Sequence, residues 1–276
     1  MYRTIVIGSV NHDRIWQLDD HLTPGRRLRF SDRSVHLGGG GFHTGSQLLE
    51  LGASVALVTR LMQDEQGLSA LKALGAAGFD TRHVAMMPGE TVPLEILLEP
   101  GGERTILAPA DGPRATLSVR GELAGDAAYL NALQLEEALV SRLGDIPLVV
   151  SQLPLRPATP RPADYVVTSR TDAADDLESV WKRAQALAGP RLKGLVLTDG
   201  PRPMILFDGS RTIHVDPAPT VRVANTIGAG DRFSGAFLFA LLGGRDPVSA
   251  LAEASRVTAD WLRQHRSSFN WNRSSA

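Results

Sequence analysis

The chain of 276 residues contains no cysteine. That excludes disulfides, thiolate nucleophiles and cysteine-ligated metal centres, and it is compatible with a reducing compartment. Aromatic residues make up only 5% of the chain, which leaves few rings on which a nucleobase could stack. The formal net charge is −1, and the basic residues are scattered without forming a run, so a nucleic-acid surface is not expected. Long hydrophobic runs are also missing. The longest, 236–242, is far too short to span a bilayer. The first residues enter a strand-like run at once, without the segments of a signal peptide. The expectation is a cytoplasmic protein with no membrane or nucleic-acid partner. No P-loop pattern occurs, and the glycine run described below does not fit a dinucleotide fingerprint.

What is present concentrates in three segments. The sharpest is 225–237, Asn-Thr-Ile-Gly-Ala-Gly-Asp-Arg-Phe-Ser-Gly-Ala-Phe. Phe233, Ala236, Phe237, Ala240 and Leu241 recur at helical spacing, so the stretch after Asp231 reads as an amphipathic helix. Gly228, Ala229 and Gly230 leave the backbone before it uncrowded. The first N–H groups of a helix have no internal partner and favour negative charge. The segment therefore reads as an anion hole beside a carboxylate able to accept a proton, which suits phosphoryl transfer to an alcohol. Taken alone it reads equally as a tight turn capped by Asp231. A second motif breaks the tie.

Residues 38–53 hold four consecutive glycines, Gly38, Gly39, Gly40 and Gly41, leading through His43 into a short helix that ends at Gly52. Fixing four glycines is entropically costly, so the run is expected to let backbone approach something closely. A wall of bare N–H groups would bind the hydroxyls of a polar ligand; a flexible hinge is the plainer alternative. Residues 4–13 read as a buried strand running into a polar tip. Asn11 and Asp13 then project beyond its carboxyl end, where open parallel sheets bind ligands. A lone Asp in that position is otherwise a turn residue.

Strand-like runs at 4–8, 54–59, 127–130, 148–151, 165–168 and 194–198 alternate with helix-like runs such as 66–77, 177–188 and 247–263. That alternation predicts a wound parallel sheet. Two intervals break it: 15–37 is polar and Arg-rich, and 91–107 reads as a hairpin.

Gly8-Ser-Val-Asn-x-Asp13, Gly38-Gly-x-Gly with Leu51-Gly-Ala, and Thr226-x-Gly-Ala-Gly-Asp231-x-Phe-x-Gly-Ala, in that order, resemble the ribokinase-like (PfkB) carbohydrate kinase family over nearly the whole chain. The resemblance implies an α/β fold: a ribokinase-like three-layer sandwich with a mostly parallel central sheet and a small β-sheet lid. It implies a single kinase domain over 1–276, with the lid formed by about 12–37 and 91–108. It implies transfer of the γ-phosphoryl group of ATP, with Mg²⁺, to a hydroxyl of a small sugar, or in related enzymes a nucleoside. Asp231 then resembles the general base, and Gly228, Ala229 and Gly230 the anion hole. Asn11, Asp13, Gly39, Gly40 and Gly41 resemble the acceptor-binding set, with His43 where the family usually has Asn. Thr198 and Gly200 resemble the strand end along the nucleotide, and Thr226 joins them. The polar tail 267–276 is placed near the adenine by the same analogy. Two lids paired in a homodimer would protect an exposed lid strand.

The chain departs from the family pattern at two further places. Asn225 stands where Asp is frequent at a monovalent-cation site, which speaks against K⁺ activation. Ser169-Arg-Thr-Asp172 stands where Asn-x-x-Glu is common near Mg²⁺ and the phosphates. Asp172 retains a carboxylate and is the candidate metal ligand, Ser169 replaces the amide, and Arg170 adds a cation that reads most plainly as solvated. These departures keep open a third reading, a catalytically weak sugar- or nucleotide-binding relative.

Overall fold

The computed structural model describes residues 1–109, 116–173, 175–221, 223 and 225–264. In chain order the strands are β1 (Arg3–Gly8), β2 (Asn11–Leu18), β3 (Phe30–Gly38), β4 (Ser54–Met62), β5 (Val84–Met87), β6 (Leu94–Leu98), β7 (Arg104–Leu107) and β8 (Thr116–Leu117). They continue with β9 (Ala127–Asn131), β10 (Gln134–Leu135), β11 (Leu148–Gln152), β12 (Tyr165–Ser169), β13 (Gly194–Asp199), β14 (Arg202–Phe207) and β15 (Thr212–Val215). The helices are α1 (Gly40–Glu50), α2 (Glu65–Ala76), α3 (Glu137–Leu143), α4 (Arg170–Ala173), α5 (Leu177–Ala188), α6 (Ala229–Leu242) and α7 (Pro247–Gln264).

Nine strands form one sheet in the order β15-β14-β13-β12-β11-β9-β1-β4-β5. It is parallel from β13 to β5, with β14 and β15 antiparallel at one edge. Period-two alternation divides its side chains between two cores. On β1, Val6 enters a core with Leu48 of α1, Leu74 of α2, Phe237 of α6 and Leu251 of α7. Ile5 and Ile7 enter the opposite core, with Leu139 and Leu143 of α3 and Val180 and Ala184 of α5. The result is a three-layer sandwich. Strands buried on both faces explain why these runs read as continuously apolar.

A second sheet, ordered β3-β2-β6-β7, forms the lid. It takes in both intervals that broke the alternation, and β6 with β7 is the expected antiparallel hairpin. Asn11 and Asp13 lie on β2, the first lid strand, rather than in a loop past β1. The short pairs that close the main sheet, β5 on one side and β14 with β15 on the other, are not evident in the sequence. Edge strands bury one face at most and carry a weaker pattern. The tail 267–276 lies outside the described residues. Among the described residues, no helix is long and apolar enough to cross a membrane.

Candidate active site

The carboxyl ends of β1, β4, β9 and β11 open under the lid into a cleft of about 800 Å³. Ser9, Asn11, His12, Asn131, Gln152 and Asp172 are among its polar lining. Asp13 stands one strand position from this lining, 5% exposed, with its Oδ1 lacking any hydrogen-bond partner. A buried orphan carboxylate oxygen is a place for a ligand hydroxyl.

The glycine run approaches the protein itself more than an open cavity. A Cβ on Gly38 would stand 1.9 Å from Oδ2 of Asp13, and one on Gly40 would stand 1.8 Å from Nδ2 of Asn131. A Cβ on Gly41 would meet the Gly8 carbonyl oxygen at 2.8 Å, and the Gly41 amide donates to the Ser9 carbonyl at 2.9 Å. The expected wall of free N–H groups is therefore corrected at Gly41, whose donor is spent on the end of β1. The run's absence of side chains lets α1 start against β1, Asp13 and Asn131.

Asp231 sits in the first turn of α6. Its Oδ1 accepts a hydrogen bond from Nδ2 of Asn131 at 3.1 Å. Burial pushes its carboxyl up to about 6, opposed by that hydrogen bond and by the charge of Arg104. Asp13 is also pushed up to about 6, by burial first and the Asp231 charge second. Two buried carboxyls with raised proton affinity, one of them acted on by the charge of the other, mark a candidate functional site. Arg104 comes from the lid: it opens β7 and donates from Nη1 to Oγ1 of Thr226 at 2.9 Å.

The turn before α6 reverses through Gly228 at φ +78°, a left-handed position suited to glycine. The His43 ring lies against it, with Cγ 2.6 Å from where a Gly228 Cβ would be. The His43 side chain thus packs on the turn before α6 and, like those of Asp13 and Asp231, is not itself among the cleft-lining residues. Burial, reinforced by Arg232 and Arg104, pushes it down to about 4, so it is neutral near pH 7. The anion hole also changes membership. The Ala229 amide donates to the Thr226 carbonyl at 3.1 Å and is not free for an anion. For the amides of Gly228, Gly230 and Asp231, no backbone acceptor is found among the described residues.

Ser169 and Thr198 are register partners at the carboxyl ends of β12 and β13, and Gly200 follows at φ +57°. The Ser169 hydroxyl accepts from the Asp172 amide at 3.0 Å, capping α4. That bond fixes the Asp172 backbone at the start of α4. Arg170 is not simply solvated: its guanidinium lies 3.9 Å from the Asp199 carboxylate, with its side chain still 55% exposed. Asn225 turns inward on its own loop, accepting from the Ile227 amide at 2.7 Å.

Helix α1 is joined to α6 by polar contacts behind the site. The Thr44 hydroxyl donates to the Asp231 carbonyl at 3.0 Å. The buried Arg232 pairs with Glu50 at 2.7 Å and lies 4.4 Å over the Trp261 ring of α7. Asn131, Arg104 and Arg232 escape sequence reasoning. Only the position of Asn131 at the end of a central strand could have drawn notice.

The architecture is thus a lidded, mostly parallel sandwich with an acid in the first turn of a glycine-led helix. Comparison with known proteins narrows it. The family description "pfkB family carbohydrate kinase" matches residues 163–271. Ribokinase of Bacillus subtilis is 26% identical over 94% of this chain and 92% of its own length. The structure resembles a Burkholderia thailandensis nucleoside kinase solved with inosine (TM-score 0.72, 16% identity, 94% and 90% covered). It also resembles Arabidopsis thaliana ribokinase solved with ribose and ATP (TM-score 0.69, 17% identity, 95% and 93% covered). The chain has the ribokinase-like fold and is similar to carbohydrate kinases of the PfkB family.

Proposed function

We propose that this protein transfers the γ-phosphoryl group of ATP to a hydroxyl of a small sugar, free or carried within a larger acceptor. The observation that carries the reading is the Asp231 carboxyl, held by Asn131 in the first turn of α6, its charge acting on Asp13, whose Oδ1 has no partner. Asn11 and Asp13 bind and orient the acceptor. Asp231 takes the hydroxyl proton as the oxygen attacks the γ-phosphorus and the bond to the ADP oxygen breaks. Charge spread over the transferring group faces the amides of Gly228, Gly230 and Asp231, with Arg104 adding a fixed positive charge from the lid. Thr198, Gly200 and Thr226 lie along the nucleotide.

Among the described residues no group of three or more acidic, His or Cys side chains forms a metal cage. Mg²⁺ in such sites is held chiefly by substrate phosphates and water, with one or two carboxylates. Exposed Asp172, on the rim of the cleft, fits that lesser role. When bound, the metal would neutralise phosphate charge. Arg170, paired to Asp199, supplies a further cation near the same strand ends.

The test is ADP formation from ATP across a panel of sugars and nucleosides, with and without Mg²⁺ and K⁺. Acceptor-dependent ADP release requiring Mg²⁺ is expected. Ligand binding without ADP release would replace this reading with that of a non-catalytic binding protein.

A further inference from the structure

At the carboxyl ends of β12 and β13, beside the cleft, two arginines converge on one acid. Arg202 grips Asp199 with two bonds, Nε to Oδ2 at 2.9 Å and Nη2 to Oδ1 at 2.7 Å. Parallel contacts of this kind are the strong form of an arginine–carboxylate pair. They engage both oxygens of a carboxylate whose side chain is only 16% exposed. Arg170 reaches the same carboxylate from α4, but its Nε stays 3.9 Å away, beyond hydrogen-bond distance. Among the described residues its guanidinium donates no hydrogen bond. The next acid along α4, Asp172, lines the cleft and forms no ion pair among the described residues.

Many exposed arginines do no more than face water. Arg170 differs in being tethered near the strand ends by an acid whose own bonds go to another residue. Its place in the sheet gives that tether a consequence. Open α/β sheets hold ligands at the carboxyl ends of their parallel strands. Arg170 directly follows β12, whose last residue, Ser169, is in register with Thr198 of β13. Strand β12 neighbours β11, and the end of β11 lines the cleft at Gln152. The sheet therefore carries the acceptor cleft and, on the adjoining strand end, a cation with unused donors. A guanidinium presents those donors in a fixed fork that matches the oxygens of a phosphate.

We infer that Arg170 binds the terminal phosphate oxygens of the nucleotide, and that Arg202 keeps Asp199 from closing on it. The inference rests on the phosphotransferase reading above for the identity of the ligand. Leaving the long contact with Asp199 breaks no hydrogen bond of Arg170, so the guanidinium is free to turn to a phosphate. Without Arg202, the largely buried Asp199 carboxylate would have Arg170 as its remaining ion-pair partner and would draw it off the ligand.

The experiment is calorimetric titration of ADP and AMP into the full-length protein, in EDTA and again with Mg²⁺, so that the side chain's share is read apart from the metal's. For Arg170→Ala the Kd of ADP is expected to rise about tenfold, as for loss of one charge-assisted contact. AMP, which lacks the terminal phosphate, should change little. Arg170→Lys keeps the charge without the fork and is expected to fall between. Arg202→Ala is expected to weaken ADP binding by roughly threefold, and to add nothing once Arg170 is alanine. Unchanged ADP binding in Arg170→Ala overturns the inference and leaves the kinase reading standing. Equal losses for ADP and AMP also overturn it, because they place the effect away from the terminal phosphate. No ADP binding by the parent protein, with or without Mg²⁺, overturns both. A loss from Arg202→Ala that persists in the Arg170→Ala background overturns the part assigned to Arg202.

Discussion

The lid and the main sheet are held by different means. The strands of the main sheet are buried on both faces between helices, in two cores that run its length. The lid's own core is three buried residues, Ile15, Ile96 and Leu98, with Ile227 packed against them. Ile227 belongs to the loop that leads into the anion turn, and Arg104 of the lid bonds Thr226 in that same loop. The lid therefore leans on the turn before α6 for part of its packing. One region supplies a rigid platform for Asp231, and the other a cover whose position depends on that turn. Elements with few buried contacts are the ones available to move.

The sharpest way to break this comparison is at the platform. Asp231→Asn keeps the Asn131 contact geometry but removes the proton acceptor, and kcat is expected to fall by roughly 10²–10⁴. Steady-state kinetics with an accepted substrate reads it, and an unchanged kcat removes Asp231 from the mechanism. Gly40→Ala comes next. Its Cβ would overlap Nδ2 of Asn131, which must swing away from Asp231, and misplacement on this scale costs up to about 10² in rate. Because a side chain yields rather than backbone, thermal unfolding should change little; a large loss of stability with intact kcat would contradict this account.

On the lid side the expected effects are smaller. Arg104→Ala removes one charge-assisted hydrogen bond and is expected to lower kcat/KM about tenfold. If the lid were independent of the turn, the mutant would match the parent enzyme. The mildest probe is pH. With Asp231 and Asp13 both pushed up to about 6 from 3.8, kcat/KM should rise to a plateau above pH 6. One unit below it, the rate should fall about tenfold. Stability runs the other way. A carboxyl whose folded value exceeds its unfolded one stabilises fully below about pH 4 and loses that contribution as pH rises through 6. Denaturant titrations of the parent and of Asp231→Asn across pH 4–7 compare the two signs.

The parallel core was legible because strands buried on both faces are continuously apolar and their helices keep a clean period. Helix α5 stands where its periodicity placed it, at Leu177–Ala188. The edge strands β5 and β15, of four residues each, and the half-exposed β14 beside β15 were not legible. In the site, Asp231, Asp13 and the glycines could be singled out because glycine spacing constrains backbone. Asn131 could not, since its importance arises from a contact 100 residues away in sequence. The contact of the His43 ring with Gly228 was hidden for the same reason, since it joins positions far apart in sequence. The Ala229 amide likewise looked free until the turn closed on Thr226.

The bond from Thr44 to the carbonyl of Asp231 joins positions 187 residues apart. During synthesis, a nascent chain that has emerged only through β13 holds Asn11, Asp13 and Asn131 but not Asp231. It also displays the bare flank of α1, including Leu48, that α6 will later cover. Such a species exposes apolar surface prone to association, so the last quarter of the sequence both brings Asp231 to Asn131 and covers what the earlier portion leaves bare.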